Sequence, residues 1–378
     1  MTTKRGAQAA AAKGSSNDIY HQALGSLVHI TEEIYDQLTK GEIPRMAIPL
    51  RTKDNIKFMP KMGVWKLGSM MGSRSAKKLD GALMLLRTMY MIDFIREMVD
   101  TSKSSTLREM YYISEGWDAA KFHSEDESNK LVEDLEIATT MIRESFKLRP
   151  EENGASVIGN ITLEEVNRKG EKKKINCRDD VGDGGYGIPY NVEKEKITFK
   201  DWDAKFIIAI ECGGMFDRLA ENGFDEDYDA ILVHLKGQPA RCTRRIIKRM
   251  SEECKLPVMV FTDGDPWSFR IFGSVAYGAI KTAHISDYLA TPTAEFIGVT
   301  PSDIENYKLP SDKLNDKDVK ALEAELSDPR FSDSWWKDEI KLMLKMGKKA
   351  EQQSLAKYGL NFVSEKYLPE KLQELGAI

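Results

Sequence analysis

An α/β multidomain protein is predicted by this chain, on three observations. Between Asp201 and Gly298, short apolar runs rich in Ile and Val alternate with helical segments, the order of a doubly wound unit with a parallel sheet. Upstream, three helical segments, the first strongly patterned, precede an alternating stretch, Ser156 to Ile161, that reads as strands. Two of the apolar runs end in carboxylates: Lys205–Ile210 runs into Glu211, and Leu256–Thr262 runs into Asp263-Gly264-Asp265. The carboxyl ends of parallel strands line one crevice, so Glu211, Asp263 and Asp265 are expected to converge there. Three carboxylates without cations are costly to hold together. A hard divalent cation with oxygen ligands, Mg²⁺ above all, is the simplest compensation, and it points to phosphoryl chemistry.

Bulk composition narrows the field. The 378 residues allow two or three domains, and 41% hydrophobic with 30% charged residues is ordinary for a soluble protein. No apolar stretch approaches the roughly 18 residues a membrane span needs. The start, Met1 to Gly6, leads into an Ala-rich run too short for a secretory core, so a cytoplasmic protein is expected. Cys177, Cys212, Cys242 and Cys254 form no Cys-x-x-Cys pair and have no His at zinc spacing, which excludes zinc and thiol chemistry. The net charge of −5 hides an asymmetry: from Arg45 to Lys78 nine Lys or Arg stand against Asp54 alone, and from Lys236 to Lys255 seven stand against Glu252 and Glu253. Such runs permit a basic nucleic-acid channel within an acidic protein, or solvated helix faces.

Taken in order, residues 1–75 read as an N-terminal extension and partner-contact segment: disorder over 1–15, a helix from Asn17 to Leu38, then loops with short strands from Gly41 to Ser75. The helix 17–38 is suited either to docking a partner or to packing on the next domain. A helix follows from Ala76 to Asp100, with Leu79, Leu83, Leu86, Tyr90 and Met98 at helical spacing. Ser104-Ser105-Thr106 opens a second, and a third runs from Asp126 to Lys147. Three helices and then a hairpin is the order of a winged-helix domain, assigned to 76–162. Residues 163–200 read as a connector, with a basic hairpin-like piece from Arg168 to Lys174. The Gly-rich stretch 180–187 does not follow a strand or open a helix as a phosphate loop would. Residues 201–378 form the sheet domain, ending in helices from 301 onward.

A second constellation lies on the short helix. Thr106-Leu107-Arg108-Glu109 fits a capping box, with Thr106 as N-cap and Glu109 at N3. At about 100° per residue, Leu107, Met110, Ser114 and Trp117 share one face, with Tyr111 at its margin. Arg108, Tyr112 and Glu115 share the outward side, so Tyr112 is the presented tyrosine. A phenol of pKa near 10 attacks phosphorus only when cations stabilise the developing charge. Arg108 and a bound Mg²⁺ would supply that.

Together, Ile210-Glu211-Cys212-Gly213-Gly214, Thr262-Asp263-Gly264-Asp265-Pro266 and Arg108-Glu109-Met110-Tyr111-Tyr112 resemble one family, the A subunit of DNA topoisomerase VI. This is the archaeal type IIB enzyme, related to the meiotic double-strand-break protein. Lys236-Gly237-Gln238-Pro239-Ala240-Arg241 and Tyr288-Leu289-Ala290-Thr291-Pro292 also look like stretches of that family. The resemblance implies a winged-helix (CAP-like) domain carrying the nucleophile and a Toprim domain carrying the metal. It maps the catalytic tyrosine onto Tyr112, with Arg108 as a transition-state contact, the Toprim glutamate onto Glu211, and the aspartate pair onto Asp263 and Asp265. Glu211, Asp263 and Asp265 are thus the implied Mg²⁺ ligands, and Glu211 is also a candidate proton shuttle in resealing. It further implies duplex DNA as substrate, a 5′-phosphotyrosyl link, a homodimer in which each tyrosine meets the acids of the other protomer, and two ATP-binding B subunits in an A2B2 heterotetramer, nucleoid-associated. No Gly-x-x-x-x-Gly-Lys occurs in this chain, in keeping with ATP bound elsewhere. Trp267-Ser268 departs from the Tyr-Gly of many meiotic relatives, and a packing effect is expected there. The alternatives are a Toprim nuclease or primase-like enzyme with Tyr112 structural, and a break-forming relative that does not reseal.

Overall fold

A computed structural model describes residues 14–149, 155–167 and 169–378. The disorder expected over 1–15 falls, up to residue 13, outside the described residues, as does Arg168 of the basic hairpin-like piece. The chain divides into two units, one of residues 14–56 and 67–149, the other of 57–66 and the described residues from 155 onward.

In the first unit the long helix α1 (Gly14–Thr39) buries Ala23, Leu27, Ile30 and Ile34, a 4-3-4 stripe, in the core. One face of the segment read as a docking helix is thus committed to ordinary packing. An antiparallel pair, β1 (Arg45–Pro49) with β4 (Met71–Ser75), follows, the short strands β2 (Ile56–Met59) and β3 (Val64–Leu67) coming between them in the chain. Arg51 and Arg74 both reach Asp134, with Arg51 Nη2 at 2.7 Å, and Arg51 also pairs with Glu133. These bonds tie the strand region to the helix α4 (Glu125–Thr139). Part of the basic run 45–78 is therefore internal bracing.

The helix α2 (Leu79–Asp100) buries Leu85, Met91, Ile92, Ile95, Met98 and Val99. Of the residues read at helical spacing, Leu79, Leu86 and Tyr90 are exposed and Met98 is buried. The helix carries Met, Leu or Ile around most of its circumference, so the spacing fixed a helix but not its phase. The third helix also ends earlier than expected. Thr140 takes a left-handed φ of 55°, and a short turn over Arg143–Phe146 follows. The chain then pairs β6 (Leu148–Arg149) in parallel with β5 (Ser105–Thr106), whose end starts the helix α3 (Leu107–Ser114).

The strands expected as the hairpin of a winged helix belong elsewhere. β7 (Ser156–Ile158) joins the second unit's sheet, antiparallel to β13 (Ala230–His234), and β8 (Ile161–Val166) enters a different, three-stranded sheet. Gly159 makes the switch possible: its φ is +141°, and a Cβ would lie 2.7 Å from the Ala230 carbonyl oxygen. The assignment of 163–200 as a connector is corrected likewise. β8 pairs with β9 (Lys172–Asn176) and β11 (Ile197–Trp202) as an ordered antiparallel sheet. Within the Gly-rich stretch, Tyr186–Gly187 is an edge strand, β10. Residues 57–66, placed in the N-terminal extension by sequence, pack with the second unit through Lys66 on Asp287 and Phe58 against Tyr277.

The doubly wound sheet is present. β12 (Phe206–Ile210) is wholly buried and pairs in parallel with β13 and with β14 (Val258–Phe261), which pairs in parallel with β15 (Glu295–Gly298). The intervening helices are α5 (Gly213–Glu221), α6 (Arg241–Cys254) and α7 (Pro266–Ala276). The C-terminal region is helical as expected, and Trp336 packs into a buried aromatic cluster with Phe269, Phe272 and Phe331.

The three-stranded sheet is fastened to α6 by a buried guanidinium. Arg249, 1% exposed, donates to the carbonyls of Val192 and Ile197 and to Glu253, and lies 4.8 Å from the Phe199 ring. Arg249→Met removes every donor and strands two carbonyls. It is expected to cost about 2–4 kcal/mol, read as a lower urea midpoint of the full chain.

Candidate active site

The capping box predicted for α3 is complete. Thr106 Oγ1 accepts from Glu109 N at 3.0 Å, and Thr106 N donates to the Glu109 carboxylate at 2.7 Å. That backbone bond, chiefly, holds the Glu109 carboxyl below its usual range. With its start fixed, the helix has one phase. Met110 and Ser114 are buried, Tyr111 is half-buried, and Tyr112 is 59% exposed on the same side as exposed Arg108. A cavity of about 470 Å³ opens beside Tyr112, floored by Met98 and Ser105.

The carboxylates lie in the other unit. Glu211 follows β12 and donates its N–H to the Phe261 carbonyl at 3.0 Å, so the ends of β12 and β14 stay abreast. Its Oε2 accepts from the Ser268 hydroxyl at 2.7 Å and from Asp263 N at 3.1 Å. Asp263 accepts from Gln352 N at 2.9 Å. Asp265 is the N-cap of α7, accepting from Ser268 N at 2.7 Å, with Pro266 at the first helical position.

Desolvation first, and then the charges of Asp263 and Asp265, push the Glu211 carboxyl up to about 7, against the hydrogen bonds from Ser268 and Asp263. Desolvation likewise raises Asp263 to about 6, with Asp265 and Glu351 adding repulsion and the Gln352 N–H opposing it. None of the three acids makes an ion pair with a Lys, Arg or His among the described residues. Nor do any three His, Cys, Asp or Glu side chains among the described residues stand as a ready-made metal-ligand set. Like charges instead turn toward N–H and O–H donors, and one Asp265 oxygen is taken by its helix. The donor set still fits a hard divalent cation in kind: half-buried oxygen ligands whose negative charge lacks compensation.

Sequence reasoning missed Ser268, Gln352 and Glu351. Trp267 does serve packing, its indole donating to Asp318 at 3.3 Å with Arg270 over its ring. Ser268 does more, since its hydroxyl holds Glu211 and its amide holds Asp265. The one available signal was its place three residues after an N-cap aspartate. Gln352 left none, because the chain from 350 returns to the site through a bridge between Gly264 and Ala350.

Three family models match consecutive stretches. One describes a type IIB DNA topoisomerase and covers residues 84–148; another describes the all-beta domain of the DNA topoisomerase VI alpha subunit and covers 151–203. The third, for the Toprim domain of the topoisomerase 6 A subunit/Spo11 group, covers 206–372. The all-beta match coincides with the sheet found where a connector was expected. The chain is 57% identical to the A subunit of type 2 DNA topoisomerase 6 from Archaeoglobus fulgidus, over 96% of this chain and 99% of that one. It is 55% identical to the protein so named from Haloarcula marismortui, over 94% and 97% of the two chains. With its counterpart from Methanosarcina acetivorans it shares 56% identity over 93% and 94%. Identity above one half across nearly all of both chains, with the Toprim model matched over the parallel sheet, leaves one assignment: the chain belongs to the family of type 2 DNA topoisomerase 6 A subunits.

Proposed function

We propose that this chain cuts and rejoins duplex DNA as the A subunit of an ATP-dependent type IIB topoisomerase, with Tyr112 as nucleophile. The observation that carries this reading is the pair of half-buried carboxylates, Glu211 and Asp263, held at the ends of adjacent parallel strands with no cation among the described residues paired to them. Tyr112 Oη attacks a backbone phosphorus, the phosphotyrosyl bond forms at the 5′ end, and the bond to the 3′-oxygen breaks. The phenol proton is given up and the departing oxygen takes one; resealing reverses both transfers, and Glu211 is the residue assigned to carry that proton. Arg108, one turn before Tyr112 on the exposed side, contacts the phosphate as charge develops. Glu211, Asp263 and Asp265 are the residues that would hold Mg²⁺, which when bound would supply charge neutralisation to phosphoryl transfer.

Residues 76–149 take the winged-helix (CAP-like) role of presenting Tyr112, supported by the short capped helix α3 followed by α4. The phenol and the acids belong to different units, and their meeting is assigned to a homodimer in which each tyrosine serves its partner's acids. Two ATP-binding B subunits complete an A2B2 enzyme acting at the nucleoid. No helix among the described residues is long and apolar enough to cross a membrane.

Denaturing a Mg²⁺ cleavage reaction of the A2B2 enzyme is expected to leave protein covalently on DNA. Tyr112→Phe should leave none while binding DNA normally; free double-strand ends made equally well by that variant would favour the nuclease alternative. Glu211→Gln should lower cleavage by at least about 10²-fold. The same variant tests the electrostatics through stability. A carboxyl whose folded-state pKa is raised loses stability as pH climbs from the ordinary glutamate range through about 7. Metal-free Glu211→Gln should therefore melt above the wild type at about pH 8 and match it at about pH 4. Equal melting at both pH values would sink the assignment of desolvated, uncompensated charge.

A further inference from the structure

Most cations of the basic run 236–255 are used inside the second unit. Arg249 is buried on carbonyls and Glu253, Arg245 is paired with Glu193, and Lys248 is buried against the Ala290 carbonyl at 2.7 Å. Arg244 is also buried. Lys236 differs. It is exposed, and it makes no ion pair with the described residues. Its backbone is left-handed, with φ 61°, and it is followed by Gly237 at φ 69°. A side chain with a Cβ is strained there, and such strain persists only where the surroundings over-determine it.

The surroundings do so, and they do it through the acid site. Leu235 N donates to the Ile210 carbonyl at 2.7 Å, and Gly237 N donates to the Glu211 carbonyl at 3.2 Å. On the far side, Gln238 donates to the Ser274 hydroxyl at 2.9 Å. Lys236 is therefore pinned between two bonds at the end of β12, the first to its last residue, Ile210, and the second to Glu211 just beyond it. Leu235, 1% exposed, fills the core beneath, while Lys236 beside it is exposed and lies one residue from the amide bonded to Glu211. Lys255 in the same run is also left-handed, at φ 59°, but it terminates α6, where that conformation is an ordinary helix ending. No helix end accounts for Lys236. A glycine would meet the backbone requirement better, so the side chain has a reason other than the fold.

We propose that Lys236 is a DNA-binding residue whose ammonium grips a backbone phosphate next to the Glu211–Asp263 carboxylates. This rests on the topoisomerase reading. Its chemistry fits: a lysine is a compact point charge suited to a phosphodiester, and placed beside a half-buried acidic cluster it offsets repulsion between the carboxylates and an incoming strand.

The test compares Lys236→Gly, Lys236→Ala, Lys236→Arg and the control Lys255→Gly in the full chain assembled with its ATPase partner. Binding of a mixed-sequence DNA duplex is measured across salt concentration, alongside melting and Mg²⁺-dependent covalent trapping. Lys236→Gly should melt at or above the wild type, because strain is relieved. The slope of log affinity against log salt should become shallower by about one for each Lys236 engaged, with roughly tenfold weaker binding per lost contact near 0.1 M salt. Lys236→Arg should keep the slope, and Lys255→Gly should leave it unchanged. Wild-type slopes in both Lys236→Gly and Lys236→Ala, or a clearly lower melting point for the glycine variant, would overturn the proposal. A wild-type enzyme that traps no DNA would instead count against the topoisomerase reading, and the slopes would still report on Lys236.

Discussion

The second unit is organised around negative charge that it does not neutralise. Parallel pairing of β12 with β14 brings the residues after Ile210 and Phe261 side by side, so Glu211 and Asp263 share a crevice in which both are half-buried. Both are short of water, which chiefly raises their pKa values, and neighbouring acids add repulsion, Asp263 and Asp265 at Glu211 and Asp265 and Glu351 at Asp263. What keeps them in place is a shell of donors from distant parts of the chain: Ser268 from the start of α7, the Asp263 amide, and the Gln352 amide from the C-terminal region. The C-terminal region is consequently part of the site. Asp303 shows how firmly that region is held together, since Tyr367 and Lys371 both converge on its carboxylate, at 2.7 Å and 2.6 Å.

Cations are distributed by a complementary logic. Guanidinium groups that could have faced DNA are drawn inward to brace secondary structure: Arg51 and Arg74 on Asp134, Arg245 on Glu193, Arg249 on backbone carbonyls and Glu253. Arginine suits this work because its planar fork satisfies several acceptors at once. Local sequence charge therefore overstates the positive field available to a phosphate backbone, and the lysines left outside carry more of it than their number suggests.

How much of this was legible in the sequence depends on the range of the determining interaction. The capping box fixed the phase of α3 within four residues, so exposed Tyr112 and half-buried Tyr111 were separable by counting alone. The carboxylate-ended strands were legible because five consecutive buried residues, Phe206–Ile210, have no other reading in a parallel sheet. By contrast, β9 is Lys-Lys-Lys-Ile-Asn, mostly exposed, and has no alternation to read; it is a strand because β8 pairs with it. α2 had the opposite problem, with apolar residues on too many sides to choose a core face. Ser268 and Gln352 act across 57 and 89 residues of chain, and no local pattern encodes a bond of that span.

That division also bears on how a double-strand cutter is kept safe. A phenol on an eight-residue helix, more than half exposed, is a poor nucleophile toward phosphorus on its own. An acidic crevice without the phenol forms no phosphotyrosyl bond. By putting the two in separate structural units, the chain carries every side chain the proposed reaction needs while neither unit alone can perform it. On the proposed assembly, cleavage becomes a property of the dimer, and partner-driven movement can join or separate phenol and acids without touching the internal geometry of either. The capping box and the donor shell around Glu211 then have one purpose in common: each keeps its half of the reaction ordered while the other half is away.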